Sequence, residues 1–184
     1  MLFKFNSSRF PKLIKATARD RKLSVAYEGN HFFLTDTHWI AKVPAIDNKI
    51  LTAIASCFGF IEKGTGKGTV QPNTMLSVWE KLTTEKQING KLTKWLYSYD
   101  NDDPSQKVNI IKADRIVLID SQYLDVIEDP TECEITVQPN NPRSPIIFWD
   151  FEDPFFLVYP IILPEDRPLS TEDLLIDNNL ATPV

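Results

Sequence analysis

The chain has 184 residues, two cysteines and a formal net charge of −5 at pH 7, and 42% of its residues are hydrophobic. This length supports one domain or two small ones with a real core, and the net charge argues against indiscriminate nucleic-acid binding over the whole surface. No run approaches the ~18 apolar residues of a membrane-spanning helix, and no signal peptide is recognisable at the N-terminus. We therefore expect a cytoplasmic protein with no membrane partner, in which Cys57 and Cys133 are free thiols.

The first 58 residues predict the order strand, helix, strand, strand and helix, from the spacing of their apolar residues. Ser7 or Ser8 can cap the first helix, and Asp47 can begin the second. The third strand either runs unbroken or divides at Thr35-Asp36-Thr37. The predicted ranges are 2–6, 8–20, 23–27, 31–43 and 47–58.

The second half of the chain begins with a glycine-rich stretch, residues 62–69, which we predict to be a flexible loop. It is not a P-loop, because Gly68 follows Lys67 and Ile61 stands where the first glycine is needed. Thr74 can cap the next helix, and the end of the chain reads as an acidic tail with a short helix at Leu174–Ile176. The predicted helices are 74–82 and 121–128, and the predicted strands are 92–99, one or two within 108–119, 132–137, 144–150 and 155–163.

The last two predicted strands, Ser144–Asp150 and Phe155–Leu163, are apolar runs on either side of an acidic turn. Pro160 interrupts the second run, and proline cannot donate a ladder hydrogen bond. The second strand is therefore predicted either to be an edge strand or to leave its sheet at Pro160. Its end is a candidate docking surface.

The first predicted helix separates an apolar arc from a cationic arc. At 100° per residue, the apolar arc contains Phe10, Leu13, Ile14 and Thr17. Acidic residues four positions away would neutralise the opposite arc, but only Asp20 stands near it. We interpret the cationic arc as a phosphate-binding surface, with a merely solvated helix face as the alternative. Its members are Arg9, Lys12, Lys15, Arg19 and Lys22.

Other polar and aromatic patterns favour structural roles. The two histidines, His31 and His38, supply too few ligands for a defined metal site. Trp95, Tyr97 and Tyr99 alternate on one strand beside lysines, which is compatible with base stacking, although such rows more often pack in cores or hairpins. No nucleophile–base motif is recognisable. We therefore expect a protein that is not an enzyme and needs neither a metal nor a cofactor.

The N-terminal part of the chain resembles the bacterial β-type DNA sliding clamp family, the DNA polymerase III beta subunits. Phe3-Lys4-Phe5 is similar to the first strand of that family, and Leu13-Ile14-Lys15-Ala16 to its helix. Phe33-Leu34-Thr35-Asp36, followed by Ile40-Ala41, is similar to its strand with an Ala-Thr-Asp-like turn.

The C-terminal part resembles the same family more closely. Tyr123–Ile127 resembles its Tyr-Leu-Leu-Asp-Val-Leu helix, Ser144-Pro145-Ile146 its Ser-Pro strand start, and Val158–Leu163 its terminal strand. The resemblance covers about residues 2–58 and 110–163, and it depends on the order and spacing of motifs that are individually weak.

The resemblance implies an α+β, DNA clamp-like fold. Such a fold has two strand–helix–strand–strand–strand units, with the helices on one face of antiparallel sheets. Residues 1–163 would form this domain, with 62–109 as an insertion or a degenerate unit, and 164–184 would be an acidic, flexible tail.

The function that the resemblance implies is that of a DNA polymerase processivity factor or a derivative. Clamp helices contact the backbone of double-stranded DNA without reading sequence, and the cationic arc from Arg9 to Lys22 matches the first such helix. Tyr159, Pro160 and Ile161 match the position beside which clamps bind short peptides of polymerases and other partners. One such domain cannot encircle DNA, so a homo-oligomer is implied.

The alternative is a clamp-fold module that binds a partner protein and not DNA. Three features favour it. Asp125, Glu128 and Asp129 make the third helix a poor DNA-lining surface, the tail is acidic, and residues 62–109 are interpreted as an insertion.

Overall fold

The computed structural model describes residues 4–98, 107–163 and 174–176. Within these ranges the chain forms four helices and eleven strands. The helices are α1 Phe10–Arg19, α2 Asn48–Phe58, α3 Pro72–Thr84 and α4 Ser121–Leu124. The strands are β1 Ser24–Glu28, β2 His31–Thr35, β3 Trp39–Pro44, β4 Thr65–Lys67, β5 Ile88–Ser98, β6 Lys107–Lys112, β7 Ile116–Asp120, β8 Glu134–Val137, β9 Ile146–Asp150, β10 Asp153–Val158 and β11 Leu174–Ile176.

The strands form one sheet in the order β4-β1-β2-β3-β10-β9-β8-β5-β6-β7, and β11 pairs with β5 beside this path. Every pairing is antiparallel. Tight turns join β1 to β2, β2 to β3, β6 to β7 and β9 to β10. The pairings of β3 with β10 and of β5 with β8 join distant parts of the chain. The predicted α+β class with an antiparallel sheet is therefore confirmed.

The first face of the sheet carries the largest apolar cluster, which is covered by α1, α2 and α4. Phe10 and Ile14 of α1 are fully buried against it, together with Trp39 and Phe156 from the central strands. The Phe10 ring stacks on Phe5 with the ring centroids 4.0 Å apart. The apolar arc predicted for the first helix is therefore the side that packs on the sheet.

The second face carries a separate cluster, which α3 covers through Met75 and Trp79. Ala26, Phe33 and Ile40 belong to it, whereas their chain neighbours lie in the first cluster, because side chains alternate between the faces of a strand. The expectation that all helices lie on one face is therefore wrong. The central strands are apolar on both sides, so both faces need a cover.

A third cluster lies around Tyr97 on β5, with side chains from β6 and β7. Ile161 and Leu163 pack against it after the chain leaves β10 at Val158. The Ile161 N–H donates to the Leu118 carbonyl at 2.9 Å, so the chain crosses from β10 to β7. Of the two roles predicted for Pro160, the second is confirmed, because the strand leaves its sheet there. It does not continue as a strand to Leu163.

Several local predictions differ from the structure. Residues 65–67 form β4, so the stretch 62–69 is not a flexible loop throughout. Gly66 is needed there because a Cβ would lie 2.4 Å from the Val25 carbonyl oxygen. Residues 174–176 form strand β11 and not a helix. Of the strand expected over 2–6, residues 2 and 3 lie outside the described residues, and Phe5 forms a single bridge with Ile127.

The stretch 62–109, expected to be an insertion or a degenerate unit, supplies β4, β5 and the start of β6 to the common sheet and α3 to the cover of its second face. Most of the tail 164–184 lies outside the described residues, so its expected flexibility stays a prediction.

Candidate functional site

The start of α1 is fixed by a side chain that sequence reasoning missed. The Asn6 Oδ1 atom accepts hydrogen bonds from the backbone N–H of Ser8 at 3.1 Å and of Arg9 at 3.0 Å. These donors precede the first helical turn and would otherwise be unpaired. Ser7 and Ser8 lie in the turn that Asn6 closes, so the prediction that one of them caps the helix is wrong. The sequence did contain a signal for this role of Asn6, because asparagine is among the preferred capping residues.

The end of α1 is closed by two backbone hydrogen bonds that reach back into the helix. The Lys22 N–H donates to the Thr17 carbonyl at 3.2 Å, and the Arg21 N–H donates to the Ala18 carbonyl at 3.0 Å. This arrangement requires a left-handed residue, and Arg21 has a φ of 58°. Arg19, Arg21 and Lys22 therefore gather at the negative end of the helix dipole, where cations are favoured.

The exposed side of α1 carries the predicted cationic arc. Phe10, Ile14 and Thr17 face inwards and are buried, and Leu13 is half-buried. The five cations of the arc are all exposed, so the separation predicted from the sequence is confirmed. They are Arg9, Lys12, Lys15, Arg19 and Lys22.

The cations differ in their partners. Arg9 forms an ion pair with Asp125, its Nη1 atom lying 2.6 Å from Oδ1 of the carboxylate. Within the described residues, Lys12, Lys15, Arg19 and Lys22 form no ion pair. Lys12, Lys15 and Arg19 rise about 4.5 to 6 Å from one to the next along the helix axis, and Lys22 follows the left-handed turn at Arg21 beyond the helix end. The result is a row of four uncompensated positive charges on a protein of net charge −5, which can bind a row of phosphates.

A cavity of about 710 Å³ lies beside the start of α1, between this helix, α4 and strands β5 and β6. Its charged lining is mixed, with one cation just before α1, one from β6, and carboxylates from the α4 region. Asp120 accepts a hydrogen bond from the Gln122 N–H at 2.9 Å, and Asp125 holds Arg9. The cavity is built from four separate stretches of chain, so it could not be recognised from the sequence. Its charged residues are Arg9, Lys107, Asp120, Asp125 and Glu128.

The predicted peptide-binding residues lie where the chain crosses from β10 to β7. Tyr159, Pro160 and Ile161 are half-buried. The Tyr159 N–H donates to the His38 carbonyl at 2.8 Å, and the Ile161 N–H is used by Leu118. Burial raises the pKa of the Tyr159 hydroxyl above its ordinary value. All three residues therefore keep some exposed surface, and Ile161 also packs against the third cluster.

The remaining candidates have structural roles where they can be assessed. Tyr97 is fully buried in the third cluster, Trp95 is 38% exposed, and Tyr99 lies outside the described residues. The Cys57 and Cys133 thiols are free, as predicted, and burial raises the pKa of the Cys133 thiol to about 11. Among residues 4–98 and 107–163, no group of three or more His, Cys, Asp or Glu side chains is arranged to hold a metal ion.

Comparison with known proteins does not identify a family. No family model, curated protein or solved structure matches the chain. In the described parts of the chain, every helix is too short or too polar to cross a membrane.

Proposed function

We propose that the protein binds the backbone of double-stranded DNA through the exposed face of α1, without reading sequence. The observation that carries this proposal is the row formed by Lys12, Lys15, Arg19 and Lys22, whose charges have no acidic partner within the described residues. Phosphate neutralisation by such cations releases counterions, which is the main source of non-specific DNA affinity.

The proposal includes the role of a sliding-clamp-like processivity factor or a derivative of one. It is supported by the sequence resemblance and by the position of the cations on the first helix. The presence of α3 on the second face departs from a clamp with helices on one face. The DNA-binding part of the proposal therefore rests on α1 alone, and encirclement of DNA would in addition require a homo-oligomer.

Reversal of charge on α1 tests DNA binding directly. We expect Lys12→Glu/Lys15→Glu/Arg19→Glu to abolish retention on a random-sequence duplex at low salt. The wild-type affinity should fall with salt at a log–log slope of about −3.6 for four phosphate contacts.

The matched control reverses three exposed lysines outside α1, with the same change in net charge, in Lys81→Glu/Lys86→Glu/Lys112→Glu. Equal losses in both triple variants would contradict a specific role of α1.

A milder variant avoids the risk of misfolding. Asp125→Asn removes the acidic partner of Arg9 and frees a fifth cation. We expect roughly a twofold or larger gain in DNA affinity, with a salt slope steeper by about 0.9. Glu128→Gln is the control, because this exposed carboxylate lines the same cavity but does not pair with Arg9 in the described residues. Identical behaviour of the two variants would argue against a DNA contact by Arg9.

The second candidate function is a clamp-fold interaction module that does not bind DNA. The acidic residues Asp120, Asp125 and Glu128 beside the start of α1 favour it, because they would repel a DNA backbone that approached from that side. In this case polymerase-type or other peptides would dock at Tyr159 and Pro160. Two results together would support this candidate. The wild-type protein would not bind DNA at low salt, and the charge reversal on α1 would not change partner binding.

A further inference from the structure

The two sides of β5 are paired unequally. β6 follows one side of the strand, whereas β8 pairs on the other side with Ile88–Gly90 alone. Within the described residues, the rest of that second side is paired only at Trp95–Tyr97, and the partner there is β11 from the C-terminal tail. An edge of free N–H and C=O groups accepts an added strand. β11 therefore occupies a strand-addition site with its own chain.

The connection to β11 favours pairing within one chain. Leu163 packs in the cluster around Tyr97, and Leu174 is the register partner of Tyr97. The ten residues 164–173 join these two points, and a chain of that length can span roughly 33 Å. A segment tethered through so few residues has a high effective concentration at a site on its own chain.

Charge complements the apolar strand pairing. The sequence places Glu172 and Asp173 before the apolar triplet Leu174–Ile176 and Asp177 after it. Two exposed lysines, Lys91 and Lys94, lie on β5 itself, so an extended segment with acidic flanks is attracted to this part of the sheet.

We propose that the β5 edge at Trp95–Tyr97 is a docking site for an extended segment of a partner protein, an apolar triplet between acidic residues, and that Leu174–Ile176 closes this site in the free chain. β11 pairs with only three residues of β5. A longer segment can extend its ladder from Trp95 towards Lys91, where the described residues show no partner on this side and the register of β5 with β6 shifts between Leu92 and Leu96, and so displace β11. A second copy offers only the same triplet at a lower effective concentration. This proposal does not depend on DNA binding by α1.

The test uses full-length chains and a fluorescent synthetic peptide of residues 171–179. Leu175→Pro removes a backbone donor from the centre of β11 and should open the site. Leu180→Pro is the matched control, since it makes the same change outside β11. We expect Leu175→Pro to bind the peptide at least tenfold more tightly than the wild-type and Leu180→Pro proteins do, because the tethered strand competes in both of the latter.

Cross-linking locates the peptide. Trp95 is the register partner of Ile176, so a Trp95→Cys chain that also carries Leu175→Pro, Cys57→Ser and Cys133→Ser should form a disulfide with a peptide carrying cysteine at position 176. A peptide with Leu174→Asp and Ile176→Asp should not bind. Equal binding to the wild-type and Leu175→Pro proteins, or no cross-link, would overturn the proposal. Self-association of Leu175→Pro without peptide binding would overturn it in favour of a second copy as the occupant.

Discussion

Arg21 has a backbone conformation that favours glycine. Its φ is 58°, at the position where the chain turns back after α1. A residue with a Cβ is less stable there than glycine by roughly 1 kcal/mol. We expect Arg21→Gly to raise the free energy of unfolding by about 1 kcal/mol relative to Arg21→Ala, measured by urea denaturation. The alanine variant loses the same charge, so equal stabilities would contradict this explanation.

His31 connects stability to pH. Burial and the nearby positive charge of Lys42 lower the pKa of this imidazole below its ordinary value of 6.5, although Asp153 acts in the opposite direction. The folded state therefore binds a proton less readily than the unfolded state. Stability is full above the unfolded pKa, and it falls as the pH drops from about 6.5 towards the lower folded value.

Replacement of His31 should remove this part of the pH dependence. We expect the wild-type urea midpoint to fall more than that of His31→Gln when the pH is lowered from about 7.5 to about 5.5. His38→Gln removes the other, exposed histidine and should behave as the wild type does. Parallel curves for the wild type and His31→Gln would show that protonation of His31 is not coupled to folding.

At the scale of single elements, the beginning of α1 depends on one side chain. Asn6 accepts hydrogen bonds from the N–H groups of Ser8 and Arg9. We expect Asn6→Ala to lower the free energy of unfolding by about 1 kcal/mol, whereas Ser7→Ala should have little effect, because Ser7 does not cap the helix. The free energies of unfolding would again be measured by urea denaturation. A larger decrease for Ser7→Ala than for Asn6→Ala would indicate that Ser7 caps the helix, as the sequence predicted.

Elements set by local pattern could be predicted from the sequence. Asp47 begins α2 as expected, since its Oδ1 atom accepts from the N–H groups of Lys49 at 2.9 Å and Ile50 at 3.1 Å. The short strands β4 and β11 could not be predicted, because a three-residue strand is defined by the strand beside it. Of the two alternatives left for 31–43, the divided strand is confirmed, because residues 36–38 separate β2 from β3, and Asp36 Oδ1 accepts from the His38 N–H there.

The cationic face of α1 was the part of the candidate site that sequence could supply, because helical periodicity alone places its residues. The ion pair of Arg9 with Asp125, the adjoining cavity and the β5 edge all join residues that are far apart in the chain. Such contacts follow from the order of strands in the sheet. That order pairs β3 with β10 and β5 with β8, and it cannot be derived from spacing within any one segment.

At the scale of the whole molecule, the two-sided cover of the sheet makes α3 part of the core and not a peripheral addition. Trp79 is 6% exposed and packs edge-on against Phe33, with the ring centroids 5.5 Å apart. Large-to-small changes at such sites leave a cavity as well as losing apolar burial. We expect Trp79→Ala to lower the free energy of unfolding by about 3 kcal/mol or more in urea denaturation.

The matched control is Trp95→Ala, because Trp95 is 38% exposed and lies on β5, outside the second cluster. The decrease in the free energy of unfolding should be much smaller for Trp95→Ala than for Trp79→Ala, because folding buries less apolar surface at Trp95. If α3 were a dispensable insertion, Trp79→Ala would lower the free energy of unfolding no more than Trp95→Ala does. DNA binding by α1 would then also be unaffected by Trp79→Ala. A cooperative loss of the whole fold in Trp79→Ala would instead place residues 72–84 within the same folding unit as α1.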